Sequence, residues 1–120
     1  MEYRRLTREV VFSGKGLHSG ESCRVTLSPG GPGEGVTVDR GKGVFALEAC
    51  AFCGTGRGTE IFLPGGLSVK TPEHLFAALS GLGIWSVRIS ADGPEIPAMD
   101  GCSATFTDAL QAGSRPIGEG

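Results

Sequence analysis

Thr71-Pro72-Glu73-His74-Leu75-Phe76-Ala77-Ala78-Leu79-Ser80-Gly81 reads as a helix with both ends marked. Thr71 is an N-cap residue type, whose hydroxyl accepts from a free backbone N–H. Pro72 suits the first helical position, where its missing N–H costs nothing. Gly81 and Gly83 offer a stop, because glycine tolerates the left-handed conformation. Glu73 and His74 therefore fall in the first turn, beside the positive end of the helix dipole, a setting that suits an anionic Glu73 and a neutral His74. A neutral imidazole next to a carboxylate is the raw material of a metal ligand and a base. On the helix alone the plainer reading is the commoner one: Glu73 as a dipole complement and His74 as a surface or core histidine.

The same stretch lacks charge. No charged residue occurs from Leu75 to Val87. Leu75, Ala78, Leu79 and Leu82 recur at helical spacing and form one apolar face. Phe76 lies on another side, and Ala77, Ser80 and Gly81 are small. A helix uncharged all round is normally covered on more than one face. A sheet beneath it accounts for one cover and leaves a second to be found.

The chain of 120 residues is the size of one ordinary domain, with a formal net charge of −2 and no basic block. That balance argues against a nucleic-acid partner. Twenty-one glycines and seven prolines imply many turns and short elements, while the apolar runs between them argue against disorder. No stretch is long enough to form a transmembrane segment, and no apolar run follows Met1-Glu2-Tyr3-Arg4-Arg5, so the cytoplasm is the expected location. Cys50-Ala51-Phe52-Cys53 has the spacing of half a zinc ribbon, but Cys23 and Cys102 stand alone and supply no second half. Free thiols in a reducing compartment are the expectation.

Outward from the helix, the flanking segments read as strands and turns. Arg8–Ser13 is a first strand rich in β-formers. Ser22–Ser28 alternates, with Cys23, Val25 and Leu27 on one face. After the Gly/Pro turn ending at Gly35, strands are expected over Gly35–Asp39 and Val44–Ala49. Cys53–Thr59 reads as loose and polar, and Ile61–Leu63 with Leu67–Val69 as a small hairpin around Pro64-Gly65-Gly66. Beyond the helix, Trp85, Val87 and Ile89 alternate with Ser86, Arg88 and Ser90. Pro94-Glu95-Ile96-Pro97 is extended, since proline restricts the residue before it, and Asp100-Gly101 turns the chain. Ser103 caps a second helix, Ala104–Ala112, with Phe106, Ala109 and Leu110 inward and Gly113 as its stop. Residues 1–113 form the domain, and 114–120 read as a tail or linker. Strands followed by short turns favour antiparallel pairing. The fold class is therefore α+β: a two-layer sandwich, mainly antiparallel sheet with two helices packed on one face.

Four motifs together resemble the N-terminal half of UDP-3-O-acyl-N-acetylglucosamine deacetylase, the zinc enzyme of lipid A biosynthesis. They are Gly14-Lys15-Gly16-Leu17-His18-Ser19-Gly20, Thr71-Pro72-Glu73-His74-Leu75, Ala77-Ala78-Leu79-Ser80-Gly81-Leu82-Gly83-Ile84 and Pro94-Glu95-Ile96-Pro97-Ala98-Met99-Asp100-Gly101. Each is weak alone; four in register, from about Leu6 to Gly113, are specific. The resemblance implies two domains of one α+β fold with their helix layers face to face and the active site between them. It implies Glu73 as general base and His74 as one Zn2+ ligand, with the zinc polarising the acetyl carbonyl and water. His18 matches a histidine in a loop towards the site, and Thr59, after Arg57-Gly58, a residue on the substrate-pocket rim.

Under the resemblance the second domain supplies the remaining His and Asp ligands, and the chain is expected to lack it. Only His18 and His74 are histidines, and catalytic zinc normally uses three protein ligands. Asp100 or Glu95 could be put forward as ligands, but the resemblance gives neither a metal role. The isolated chain is therefore expected to be inactive, with Zn2+ held only when a second domain or chain completes the site. The partners implied are a second deacetylase domain on another chain, or a homodimer through the helix layer, and a UDP-sugar lipid precursor as substrate. The alternative is a non-catalytic self-associating or binding domain with the same fold.

Overall fold

The structure is a computed structural model that describes residues 2–31, 33–55, 58–99 and 103–119. In chain order the elements are β1 (Glu2–Leu6), β2 (Val10–Lys15), β3 (Ser22–Pro29), β4 (Val36–Asp39), β5 (Val44–Ala46), a 3-10 turn (Leu47–Ala49), β6 (Ala51–Thr55), β7 (Gly58–Phe62), β8 (Ser68–Lys70), α1 (Glu73–Leu82), β9 (Val87–Asp92), α2 (Ala104–Ala112) and β10 (Ser114–Glu119).

The main sheet runs β2-β3-β9-β4-β5. Its pairs are antiparallel except β4 with β9, which are parallel. A parallel neighbour requires a crossover, and the chain from β5 through α1 provides it. Strand alternation decides which side is covered. Phe12, Val25, Leu27, Val38, Val87 and Ile89 are buried, whereas Val11, Ser13, Arg24 and Arg88 on the opposite side are exposed. Both helices lie on the buried side. Leu75, Ala78 and Leu79 of α1 and Phe106 and Leu110 of α2 join the same hydrophobic core, and the Phe12 and Phe106 rings meet edge to face at 4.7 Å. The chain is thus the α+β two-layer arrangement expected, with helices on one face of a mainly antiparallel sheet.

Helix α1 stops where its glycine permits. Gly83 takes φ 71, its N–H donates to the Ser80 carbonyl, and the Ile84 N–H donates back to Leu79. This pair of bonds closes the last turn and drives Ile84 inward, where it is fully buried. Ile84 therefore takes the buried place expected of Trp85. Trp85 is 47% exposed, and β9 begins two residues later than the alternation implies.

The helix start also differs from expectation. Pro72 occupies the cap position without a side-chain cap bond. Thr71 sits at φ 59 and its hydroxyl donates to Glu95 Oε2 at 2.6 Å. A buried carboxylate left short of donors is costlier than an uncapped, partly hydrated helix end, so the hydroxyl goes to Glu95. Ser103 likewise stands before α2 without a side-chain cap bond.

Three further expectations are corrected. The residues after Arg8 are not the first strand, because β1 precedes them. Of the Cys53–Thr59 stretch, Cys53–Thr55 and Gly58–Thr59 are not loose but paired strand ends of β6 and β7, with Gly54 opposite Thr59; Gly56 and Arg57 lie outside the described residues. Ser114–Glu119 is not a frayed tail but β10, antiparallel to β1. Arg4 fastens that ribbon to the body through its backbone, its N–H donating to the Gly83 carbonyl at 3.1 Å beside a bridge to Ile84, while its guanidinium donates within the ribbon to Ser114 Oγ at 2.9 Å. Asp100 and Gly101, expected as a turn, lie outside the described residues.

Burial at the sheet–helix contact sets the stability scale. Phe106→Ala lowers the unfolding free energy by about 3–5 kcal/mol, read by urea denaturation. Val11→Thr on the open sheet face changes it by no more than about 0.5 kcal/mol.

Candidate active site

The first turn of α1 is held from beside and from below. On one side runs β7. The Thr59 N–H donates to Glu73 Oε1 at 2.5 Å, and the Thr59 carbonyl accepts from the Thr71 N–H at 2.9 Å. One residue of β7 therefore fixes both the approach to the helix and its first acidic side chain. Gly58 lets the strand come this close: a Cβ there would lie 3.2 Å from Glu73 Oε1. Further along the helix, the Phe76 ring faces Phe52 of β6, with centroids 6.4 Å apart.

Glu73 is half-buried and the next residue, His74, is exposed. Ala77, Ser80 and Gly81 are exposed too, while Leu75, Ala78 and Leu79 face the core. The outward stripe of α1 thus begins with an imidazole and continues with small uncharged residues. The imidazole is neither deep in the core nor on the far side of the sheet.

His18 lies in the β2–β3 connection with its side chain exposed. Its backbone is anchored. The His18 N–H is 3.1 Å from both Oε1 and Oε2 of Glu95, and the Ser19 N–H donates to Oε1 at 2.9 Å. The Thr71 hydroxyl donates to Oε2, so the Glu95 carboxylate is held by donors from two segments while only 1% exposed. Burial opposes its charge, but the Thr71 hydroxyl and the Ser19 and His18 amides outweigh that and hold its carboxyl below the ordinary glutamate range.

Of the residues singled out from the sequence, Glu73, His74 and Thr59 meet at the start of α1. His18 is tied to the same point through Glu95 and Thr71. Arg57, used to locate Thr59, and Asp100 lie outside the described residues. Glu95 is the residue whose role the sequence reading missed. Its signal was an acidic side chain between two prolines in an otherwise apolar extended segment. Such a carboxylate has little access to water and must find donors within the chain.

A catalytic zinc centre uses three protein ligands and keeps one position open. Among the described residues, no three of His, Cys, Asp and Glu cluster in a way that could hold a metal ion. The exposed His74 beside Glu73 fits a one-ligand share of such a centre. Cys50 and Cys53 carry no disulfide, and burial pushes the Cys50 thiol up, which makes it less ready to act as a thiolate. No helix among the described residues is long and apolar enough to cross a membrane.

The chain is similar to known proteins. The family model described as "LpxC: UDP-3-O-acyl N-acetylglycosamine deacetylase" matches residues 3–117. The UDP-3-O-acyl-N-acetylglucosamine deacetylase of Chlamydia muridarum is 41% identical over 120 residues, 97% of this chain and 42% of that protein. Those of Geobacter sp. and Myxococcus xanthus are 41% and 37% identical, covering 95% and 91% of this chain. The chain spans 39% and 36% of their own lengths.

The Glu95 carboxylate makes acid the weak direction for this fold. A carboxyl held low in the folded state adds stability above its unfolded value, and that stability is lost as pH falls through the folded value. Unfolding free energy should therefore drop as pH is lowered below about 4.3. Glu95→Gln should be less stable than the parent at pH 7 and show a shallower acid dependence in chemical denaturation.

Proposed function

The chain belongs to the UDP-3-O-acyl-N-acetylglucosamine deacetylase family, and from that membership we propose that it is the N-terminal half of a zinc-dependent amide hydrolase. The substrate is a UDP-linked 3-O-acyl-N-acetylglucosamine, and the product amine enters lipid A synthesis. The observation that carries this reading is the adjacency of Glu73 and His74 on the open first turn of α1, with the Glu73 carboxylate held by the Thr59 N–H.

In this reading water adds to the acetyl carbonyl, the C–N bond breaks, and acetate and the sugar amine leave. Glu73 is the general base that accepts the water proton and returns it to the departing nitrogen. The Thr59 amide fixes one of its oxygens, so the carboxylate meets the water in one orientation. His74 would hold a zinc ion, which when bound supplies Lewis acidity to the carbonyl and the water. His18 and Thr59 border the substrate pocket. The other metal ligands come from a second domain of the same fold that covers the stripe Ala77, Ser80 and Gly81. Small residues there permit a close approach of the second helix layer.

A second reading takes the same stripe as a two-fold contact between copies of the chain, making a non-catalytic self-associating domain. Sedimentation of the isolated chain separates the two. The half-enzyme reading expects a monomer at micromolar concentration, and the second reading a concentration-dependent dimer.

The direct test combines the chain with its completing domain and assays acetate release from the UDP-sugar. Activity should require both parts, be lost on chelation and return with zinc. Glu73→Gln should lower kcat by about 10²–10⁴-fold while zinc remains bound. His74→Ala should lose the metal. Full activity of Glu73→Gln would refute the assignment.

A further inference from the structure

Resting on the deacetylase reading above, we propose that Glu95 is a positioning residue for that reaction. One buried carboxylate sets the His18 loop and the Glu73 carboxylate in a single frame. The frame is a continuous path of short hydrogen bonds. Glu95 Oε1 accepts from the Ser19 N–H at 2.9 Å, and both of its oxygens lie 3.1 Å from the His18 nitrogen. Oε2 accepts from the Thr71 hydroxyl at 2.6 Å. The Thr71 N–H donates to the Thr59 carbonyl at 2.9 Å. The Thr59 N–H then donates to Glu73 Oε1 at 2.5 Å. Two backbone bonds run beside this path, from the Lys70 N–H to Pro94 at 2.8 Å and from the Ile96 N–H to Lys70 at 3.0 Å.

The parts of this path are fitted to one another. Thr71 holds φ 59, a strained conformation for a β-branched residue that persists only where its surroundings fix it. Here its hydroxyl and its N–H are both bound, one to Glu95 and one to Thr59. On the far side, a Cβ at Gly16 would fall 2.2 Å from Glu95 Oε1, so the loop closes over the carboxylate only because that residue is glycine. Among the described residues the donors to Glu95 are the His18 and Ser19 backbone amides and the Thr71 and Ser19 hydroxyls, none of them a cation. Backbone donors fix the position of a loop more closely than a flexible ammonium group would. The carboxylate therefore acts on geometry: it ties the backbone of the His18 loop to Thr71, just before α1, and holds Thr59 where it orients Glu73.

Two variants test this, each read twice. Glu95→Gln removes the charge and one acceptor; Thr71→Val removes the hydroxyl and keeps the side-chain shape. In 1H–15N spectra of the chain, Glu95→Gln should move the His18 and Ser19 amides. It should also move the Thr59 amide, which donates to Glu73 and not to Glu95. Thr71→Val should move Thr59 as well. A purely local role would leave Thr59 in place in Glu95→Gln, and that result overturns the proposal.

In the chain combined with its completing domain, either variant should lower kcat by about ten- to a hundredfold with KM changed by less than about twofold. The double variant should be no worse than the more damaging single one. A displaced Thr59 amide with kcat unchanged also overturns the proposal. If the parent combination releases no acetate, the deacetylase reading fails, and the spectra still decide the positioning path. Should Glu95→Gln fail to fold, Thr71→Val carries both readings.

Discussion

A carboxylate that scarcely touches water must be satisfied by the chain around it, and Glu95 imposes that demand on three segments at once. Leaving an ionised acid buried without partners costs many kcal/mol. The β2–β3 connection, the end of β8 and the Pro94–Pro97 segment must therefore converge for it to remain charged, and in the structure they do. Convergence there decides where α1 can begin. Thr71 is drawn to Glu95 instead of capping the helix, and the helix starts at Glu73 with Thr59 alongside. The position of the candidate active site follows from a polar constraint made inside an apolar domain.

The core supplies the complementary constraint. Leu75, Ala78 and Leu79 fasten α1 to the sheet beneath it, and Phe106 locks α2 beside it through Phe12. A helix anchored on that side turns His74, Ala77, Ser80 and Gly81 outward. Such a stripe is unusual for a solvated helix face, which normally carries charge. Its composition suits contact with another apolar layer, and its first residue is the imidazole next to Glu73. The candidate site and the uncharged stripe are thus consecutive turns of one helix.

Much of this was legible in the residues. The helix over Glu73–Leu82, the strands at β3 and β4, and the α2 helix all follow from strong periodicity with glycine at their ends, and Glu73 and His74 from their place in the first turn. What escaped has physical reasons. The β1–β10 ribbon joins the two ends of the chain, a pairing that no local pattern carries, and its short, charge-bearing strands resemble loop. The alternation of β6 and β7 is broken by Gly54 and Gly58, so strands held by ladder bonds look irregular. Trp85 alternates with Val87 and Ile89 in sequence, but the turn at Gly83 gives the buried place to Ile84. Thr71 has the side chain of a cap, and only the proximity of a carboxylate twenty-four residues away redirects it. Glu95 was visible as an acid between prolines, but its donors include the His18 and Ser19 backbone amides, which sequence does not distinguish.

The central claim is that His74 offers the metal one ligand from the open first turn of α1. Zinc-edge anomalous diffraction from crystals of the chain with its completing domain tests it most directly. A zinc peak is expected about 2.0–2.1 Å from a His74 ring nitrogen, with the Glu73 carboxylate next to it. A bound zinc that leaves His74 uncoordinated, whether at Cys50 and Cys53 or elsewhere, would contradict it.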